Sequence, residues 1–235
     1  MQSNTRQFDN FDQFANDYRN IHNENIKLSG ADSDYFSEYK VIEVATHESA
    51  TEALHFLDLG CGDGNSVKFF RKHFPKAKIT GIDVSEDSIN LAKTRNIENA
   101  VFTAYDGAHI PFADNTFDVI FIATVMHHID HALHVGLMTE ARRVLRKGGR
   151  LYIFEHNPYN PVTRNVVNNC VFDADAVLLS PPYTKRMLKQ AGFQDISNTF
   201  TIFFPRSGFF QPFLFLEKFL KKIPLGGQFY TKGFK

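Results

Sequence analysis

The sequence predicts an α/β fold in which helices cover both faces of a doubly wound, mostly parallel sheet. Short apolar segments alternate with helical ones between residues 54 and 155, as expected for parallel strands joined by right-handed crossovers. Residues 117–123 read FDVIFIA, a nearly continuous apolar run that suits a strand buried on both faces. A glycine-rich turn at residues 60–64 follows the first apolar segment and leaves the backbone open to a ligand.

The elements follow one another in a regular order up to residue 155. We expect strands at residues 54–59, 78–84, 100–105, 117–123 and 150–154, and helices at 65–73, 86–94 and 133–145. Pro75 follows the first helix and stops it, and Lys147-Gly148-Gly149 is a C-terminal signal after the third. Ligands of such sheets bind beyond the carboxyl ends of the strands, so a site is expected at that edge.

The pattern changes after residue 155. An Asn- and Pro-rich loop with a short helix is expected at 156–180, a helix at 183–191, and strands at 194–204 and 228–234. These late strands suggest an antiparallel closing pair, which completes a seven-stranded Rossmann-like sheet with an antiparallel last strand. Within one domain at residues 54–235, we expect a substrate-side insert at 155–208 and a Phe-rich amphipathic helix at 209–223.

Residues 1–53 are polar and aromatic and are predicted to form an N-terminal helical extension or lid. Phe8, Phe11, Phe14 and Tyr18 recur at the spacing of one face of a short helix. This face either packs on the domain or covers a cofactor as a mobile lid. In the second case Tyr18 contacts the cofactor.

Composition excludes several classes of protein. Twenty-six Lys and Arg balance 26 Asp and Glu, so no global field recruits nucleic acid or anionic lipid. Cys61 and Cys170 are the two cysteines, too few for a disulfide framework, which fits a reduced, cytoplasmic compartment. The N-terminus lacks the apolar run of a signal peptide, and no segment approaches the ~20 apolar residues of a spanning helix. We therefore expect no stable membrane insertion.

Acids follow three consecutive predicted strands. Asp58 lies at the end of the first, Asp83 ends the second, and Asp106 follows the third, beside Gly107 and Ala108. A carboxylate about 20 residues beyond the glycine turn suits the two hydroxyls of a ribose, which predicts that role for Asp83. Asp58 suits an ammonium group or its water shell, and Asp106 suits the exocyclic amine of an adenine. NAD and S-adenosylmethionine (SAM) both carry a ribose, so Asp83 alone does not choose between them.

Asn65 occupies the position at which a dinucleotide-binding fingerprint has its last glycine, which favours SAM over NAD. The chain resembles class I SAM-dependent methyltransferases, in the group related to ubiquinone and polyketide methylators, in four segments: FLDLGCGDG, GIDVSEDSINLA, AYDGAHIPFADNTFDVIFIATVMHHI and RRVLRKGGRLYIFE. The resemblance covers residues 54–155. It implies methyl transfer, with SAM bound at Gly60, Gly62, Asp83, Asp106 and Ala123. The cofactor site expected from sequence also includes Tyr18, Asp58, Cys61, Val84, Gly107 and Ala108.

Methyl transfer from a sulfonium needs mainly an aligned acceptor, and a general base only when the acceptor is a hydroxyl or an acidic carbon. Residues 124–127, Thr-Val-Met-His, are similar to the Asn-Val-Leu-His of polyketide-synthase methylation domains. This resemblance implies His127 as base and Glu155 as the carboxylate that orients it. The chain departs from that family in having Thr124 and in having His128 where the family has a small residue. His128 or His156 as base, or no histidine base, are therefore alternatives.

Two motifs are expected to carry no chemistry. His127, His131 and His134 have the spacing of a helical metal face, but His127 is expected in a turn and the others on the solvated surface, so no metal is predicted. The segment SPPY at residues 180–183 resembles a nucleic-acid amine methylation motif but follows the wrong strand. With no basic stripe, nucleic-acid partners are not expected.

The predicted helix at 209–223 has three interpretations. It packs on the sheet edge or on a second copy as a homodimer, or it forms the wall of an apolar acceptor pocket, or it docks on a membrane surface. The sequence as a whole predicts a cytoplasmic methyltransferase that acts on an oxygen or carbon of a small, partly apolar acceptor, such as a natural-product, quinone, lipid or glycan precursor. The alternatives are a non-catalytic SAM-binding subunit or regulator, an N-methyltransferase of a small amine, and, more remotely, an NAD oxidoreductase.

Overall fold

The computed structural model describes residues 32–170, 173, 176–205 and 208–235. Seven strands form one sheet in the order β3-β2-β1-β4-β5-β7-β6. They are β1 (His55–Leu59), β2 (Lys78–Asp83), β3 (Ala100–Ala104), β4 (Phe117–Ala123), β5 (Leu145–His156), β6 (Gln194–Thr201) and β7 (Gln228–Phe234). Strands β1 to β5 pair in parallel, and β7 is antiparallel to both of its neighbours. The predicted fold class is confirmed, including the antiparallel last strand.

Helices cover both faces of this sheet. The described α-helices are α1 (Ser33–Ala45), α2 (Asn65–His73), α3 (Glu86–Thr94), α4 (His131–Val144), α5 (Pro161–Asn168), α6 (Pro181–Gln190) and α7 (Glu217–Leu220). The segments Met126–His128 and Gly208–Leu216 are 3-10 helices. In the part of the chain that the structure describes, we find no helix with the length and apolar content needed to cross a bilayer.

Strand β4 shows why both faces are covered. Val119 and Phe121 point into one hydrophobic core with residues of α1 and α2. Ile120 and Ile122 point into a second core with residues of α4 and α6. All four side chains have no exposed surface, so the continuous apolar run follows from burial on both sides. The strand order reverses between β1 and β4, and this switch point positions a crevice at the carboxyl ends of the strands.

One expectation for the later chain is wrong. The segment predicted as one amphipathic helix at 209–223 is a 3-10 helix, Gly208–Leu216, followed by the four-residue α7. Pro212 lies inside it, and its missing N–H and fixed ring oppose a continuous α-helix. The expected insert at 155–208 also includes α6 and β6, and β6 pairs with β7 as part of the main sheet.

Side-chain caps explain where two helices of the later chain begin. Helix α4 begins at His131, two residues earlier than expected, because the Asp130 side chain accepts a hydrogen bond from Ala132 N and caps it. Ser180 caps α6 in the same way, so the SPPY segment starts a helix, as predicted. The aromatic face predicted for residues 8–18, with Tyr18, lies outside the described residues.

Candidate functional site

The glycine turn after β1 is tied to the end of β2. The amides of Gly60 and Cys61 both donate to the Ile82 carbonyl, at 2.8 and 3.0 Å. Gly60 has φ +78°, and a Cβ there would lie 2.5 Å from a methyl carbon of Val125. A side chain at Gly62 would meet no atom within 4 Å. The turn therefore needs glycine at residue 60 for close packing and leaves open space beside Gly62.

Two carboxylates from β1 and β2 border that space. Asp83 accepts hydrogen bonds from Gly62 N at 2.8 Å and from Ser85 N at 3.0 Å. Asp58 is 2% exposed, and its Oδ2 is buried with no hydrogen-bond partner among the described residues. Burial, and then the charge of Asp83, raise the pKa of Asp58 to about 8. A buried polar atom that lacks a partner indicates a ligand or ordered water that supplies one.

The other predicted cofactor residues surround the same strand ends. Asp106 is exposed, and its Oδ1 accepts hydrogen bonds from the backbone amides of His109 at 2.7 Å and Ala108 at 2.9 Å; these bonds lower its pKa. Gly107, between Asp106 and Ala108, has φ +79°. Cys61 is buried, and burial raises its pKa so that it stays a neutral thiol. Val84 and Ala123 are half-buried just beyond β2 and at the end of β4.

The turn after β4 carries the histidines that sequence reasoning selected. Thr124 adopts a left-handed conformation with φ +55°, which a β-branched residue rarely tolerates and which asparagine accepts more readily. Val125 follows and packs against Gly60, so this turn touches the glycine turn directly. Strain of this kind persists only where the surrounding structure holds it.

His127 and Glu155 form a fully buried pair. His127 Nδ1 donates to Glu155 Oε2 at 2.5 Å, and Met126 N donates to Glu155 Oε1 at 3.0 Å. The carboxylate at the end of β5 thus fixes both the ring and its backbone. The predicted pairing of these two side chains is present in the structure, while their catalytic role stays a prediction.

Asp173 completes this cluster, and sequence reasoning missed it. Its Oδ1 lies 3.5 Å from Nε2 of both His127 and His128. Burial would lower the pKa of His127, but the charges of Glu155 and Asp173 outweigh it and raise the pKa to about 10. Contact with His127 lowers the pKa of Asp173 to about 2 against the opposing effect of burial. His127 is therefore an imidazolium between two carboxylates at neutral pH.

The half-buried His156 and the buried Lys40 lie close to the pair. Burial, and then the charge of His127, lower the pKa of His156 to about 3, so His156 stays neutral. Lys40 of α1 is 7% exposed; burial lowers its pKa to about 8, against the opposing charge of Glu155. No motif marked Lys40 or Asp173, because each reaches the site only through packing of a segment distant in sequence.

The sequence suggested that His134 lies on the solvated surface, and this expectation is wrong. It is fully buried, and its Nε2 lies 2.9 Å from the Met126 carbonyl and 3.0 Å from the Ile129 carbonyl. Its Nδ1 lies 2.9 Å from the Tyr183 hydroxyl. His134 thus braces the turn that carries His127. Among the described residues, the atoms of ligand type that converge within 4.8 Å belong to His127, His128 and Asp173.

Known proteins resemble this chain in sequence and in fold. Residues 56–149 match the family model described as a methyltransferase domain. The Uncharacterized protein MJ1123 of Methanocaldococcus jannaschii is 30% identical over 72% of this chain and 80% of its own length. The ubiquinone/menaquinone biosynthesis C-methyltransferase UbiE of Desulfotalea psychrophila is 32% identical over 43% of this chain and 41% of its length. The fatty-acid O-methyltransferase of Mycolicibacterium smegmatis is 30% identical over 54% of this chain and 47% of its own length.

The chain therefore spans less than half the length of the last two relatives. A solved SAM-dependent methyltransferase of Archaeoglobus fulgidus superposes with a TM-score of 0.68 at 15% identity, covering 87% of this chain and 95% of that one. At that identity the likeness concerns the fold.

Proposed function

We propose that the chain, which belongs to the class I SAM-dependent methyltransferase family, transfers the methyl group of SAM to an oxygen or carbon of a small, partly apolar acceptor. The observation that carries this proposal is the contact between two half-sites at one edge of the sheet. One is the glycine turn with Asp58, whose buried Oδ2 has no hydrogen-bond partner in the part of the chain that the structure describes. The other is the buried cluster of His127, Glu155 and Asp173. Val125 and Gly60 join them.

The residues of the first half-site fit SAM. Asp83 at the end of β2 holds the amides of Gly62 and Ser85, and its carboxylate would accept hydrogen bonds from the ribose hydroxyls. The ammonium of the methionine part would supply a partner for Asp58 Oδ2, which has none among the described residues. Asp106 with Gly107 and Ala108 would border the adenine, and Cys61, Val84 and Ala123 would form apolar walls. When bound, SAM supplies a methyl group on a positively charged sulfur that is already a good leaving group.

The second half-site supports control of a proton at the acceptor atom. His127 would hold the imidazolium proton at Nε2, with Glu155 fixing the ring through Nδ1. Because Glu155 and Asp173 raise the pKa of His127, its ring can take the proton of an acceptor hydroxyl only where the pH is high enough to deprotonate it. In the neutral pH range the imidazolium would instead stabilise an acceptor that binds as its anion. A rate that rises toward pH 10 favours the base, and a flat profile favours the anionic acceptor.

The named relatives support a small acceptor of partly apolar character. One is named for carbon methylation in quinone biosynthesis and one for oxygen methylation of fatty acids. Transfer to the nitrogen of a small amine and a non-catalytic SAM-binding role are the alternatives. A buried base cluster favours oxygen or carbon, since an unprotonated amine needs no base.

The first experiment is calorimetry with SAM and with NAD. We expect SAM to bind and NAD not to bind. If NAD binds more tightly than SAM, the assignment of the first half-site is wrong.

The second experiment measures transfer of labelled methyl from SAM to a panel of quinols, phenols, fatty acids and amines. His127→Ala is expected to lower kcat at least tenfold with SAM affinity unchanged, since general bases contribute about 10²-fold or more. The matched control is His131→Ala, an exposed histidine nearby on α4. Unchanged kcat in His127→Ala would remove this residue from the mechanism. SAM binding with no acceptor consumed would favour the non-catalytic role.

A further inference from the structure

The segment from Gly208 to Leu225 exposes large apolar side chains. We call this set the Phe-rich surface: Phe209, Phe213, Phe215, Phe219, Ile223 and Leu225. Phe209 and Phe219 are 77% and 69% exposed, and each of the others is at least 40% exposed. Scattered apolar residues on a surface need no explanation, but a concentration of this kind marks an interaction site.

This exposure does not come from a detached segment. The buried Glu217 carboxylate accepts hydrogen bonds from Phe203 N at 2.9 Å and Phe204 N at 3.2 Å. Lys221 contacts Glu43 of α1 at 2.8 Å, and its carbonyl accepts from Phe200 N at 2.9 Å. The segment is thus held to the rest of the protein by these contacts, and the side chains of the Phe-rich surface remain exposed to solvent.

The charged side chains that this segment exposes are basic. Glu217 is the only acid in residues 196–235, and it is buried. Lys218 and Lys222 are exposed, and Lys218 Nζ lies 4.9 Å from the centre of the Phe219 ring. A protein with zero net charge therefore presents lysines together with exposed aromatic rings. This combination is typical of segments that lie in the interface of a bilayer.

The topology places the Phe-rich surface at the edge of the sheet that carries the candidate site. Gln228, the first residue of β7, pairs with His156 at the carboxyl end of β5 and with Thr201 at the end of β6. The connection between β6 and β7 therefore leaves the sheet beside Glu155 and His156. Asn157 holds it there, with Nδ2 donating to the Gly226 carbonyl at 2.7 Å.

We propose that the Phe-rich surface binds peripherally to the surface of an anionic lipid bilayer. The rings would enter the acyl boundary and the lysines would contact lipid phosphates, about 1 kcal/mol or about fivefold in affinity for each lysine. A second copy of the chain fits less well, because a two-fold interface joins the same patch of both subunits and residues 196–235 contain no acid other than the buried Glu217 to pair with the lysines. The proposal does not depend on the proposed function, but it would let an apolar acceptor enter the site directly from the lipid.

The chain contains no tryptophan, so Phe215→Trp supplies a single fluorescent reporter on the full-length protein. It is titrated with vesicles of phosphatidylglycerol and phosphatidylcholine, and with vesicles of phosphatidylcholine alone. We expect a blue shift of the emission and co-sedimentation with the anionic vesicles, weakened by salt. No shift and no co-sedimentation with anionic vesicles would overturn the proposal.

Two pairs of substitutions test the two parts of the surface. Lys218→Glu with Lys222→Glu is expected to weaken vesicle binding at least about twentyfold, and Phe209→Ser with Phe219→Ser at least about tenfold. The matched controls are Lys76→Glu with Lys147→Glu, and Val101→Ser, all exposed positions outside this segment. Equal losses in the controls would overturn the proposal.

Light scattering is measured in parallel. A dimer that the phenylalanine substitutions dissociate, without any vesicle binding, would assign the surface to a second copy and overturn the proposal. SAM affinity measured by calorimetry on the same variants is expected to stay unchanged. This keeps a failure of lipid binding separate from a failure of the proposed methyl transfer.

Discussion

Replacement of Asp83 by alanine tests the cofactor half of the site most directly. The carboxylate of Asp83 accepts hydrogen bonds from Gly62 N and Ser85 N, so it shapes the glycine turn, and its place at the end of β2 suits the two hydroxyls of a ribose. In Asp83→Ala the two ribose hydroxyls lose their charged acceptor, and the Gly62 amide loses the group that positions it. We therefore expect a loss of SAM affinity together with a smaller loss of stability.

The expected magnitude follows from the number of bonds. A hydrogen bond to a charged group contributes about 1.5–3 kcal/mol, so two ribose bonds contribute at least about 3 kcal/mol. At about 1.4 kcal/mol for each factor of ten, the Kd for SAM rises about a hundredfold or more. Asp83→Asn keeps the size of the side chain and one acceptor oxygen, and its Kd should fall between those of the wild type and the alanine variant.

The assay is calorimetric titration of SAM, with thermal unfolding and circular dichroism as checks of folding. Asp87→Ala is the matched control, because Asp87 is an exposed acid in the first turn of α3, close to the site in sequence. It should bind SAM as the wild type does. A folded Asp83→Ala protein whose Kd lies within about twofold of the wild-type value would refute the ribose assignment.

Four other outcomes are expected. Glu155→Gln should lower the free energy of unfolding by about 3 kcal/mol at neutral pH, because it leaves one member of a buried ion pair without its partner. The carboxylates raise the pKa of His127 to about 10, so the stability that its charge contributes is present below its unfolded pKa of about 6.5 and is lost as the pH rises through about 10. Equal destabilisation by Glu155→Gln at pH 7 and at pH 10.5 would contradict this prediction. Asp58→Asn should be more stable than the wild type, by a margin that grows from pH 4 to pH 8 and that thermal melts measure. The pKa of Asp58 is raised to about 8 in the folded protein, so over this pH range the carboxyl ionises in the unfolded chain before it ionises in the folded one. SAM affinity should nevertheless fall about tenfold or more. Gly60→Ala should lower the free energy of unfolding by at least about 1 kcal/mol in denaturant titrations, because residue 60 has a left-handed φ and a Cβ there would strike Val125. The control Gly136→Ala, whose Cβ would meet no atom within 4 Å, should not be destabilised. Dialysis against a chelator should leave methyl transfer unchanged, because a sulfonium methyl group needs no Lewis acid to leave; a loss restored by a divalent metal would show that this reasoning is wrong.

Much of the fold could be predicted from short-range pattern. The apolar run at β4 and the glycine turn after β1 depend on residues adjacent in sequence, and the edge of the sheet where Asp58 and Asp83 meet follows from parallel topology alone. The predicted pairing of His127 with Glu155 came from a resemblance at two strand ends, and the structure places those side chains 2.5 Å apart. Each of these features needs only local sequence plus the rule that parallel strands end at one edge.

Other features required the packed chain. Asp173 and Lys40 reach the His127 cluster from beyond β5 and from α1, and no spacing in the sequence connects them with it. The protonation of His127 depends on burial between two carboxylates, which no motif encodes. The segment predicted as one helix at 209–223 is divided into a 3-10 helix that contains Pro212 and a short α-helix. Whether the phenylalanines of that segment are buried could not be read from their periodicity.

The sequence by itself thus determined the order of strands and helices, the SAM family and the acids at the strand ends, because periodicity and turn chemistry act over a few residues. Only the tertiary structure decided which distant groups share the buried histidine cluster, what their charges do to one another, and which aromatic side chains stay exposed. Those properties depend on distance and burial in space, and both are set by the packing of segments that lie far apart along the chain.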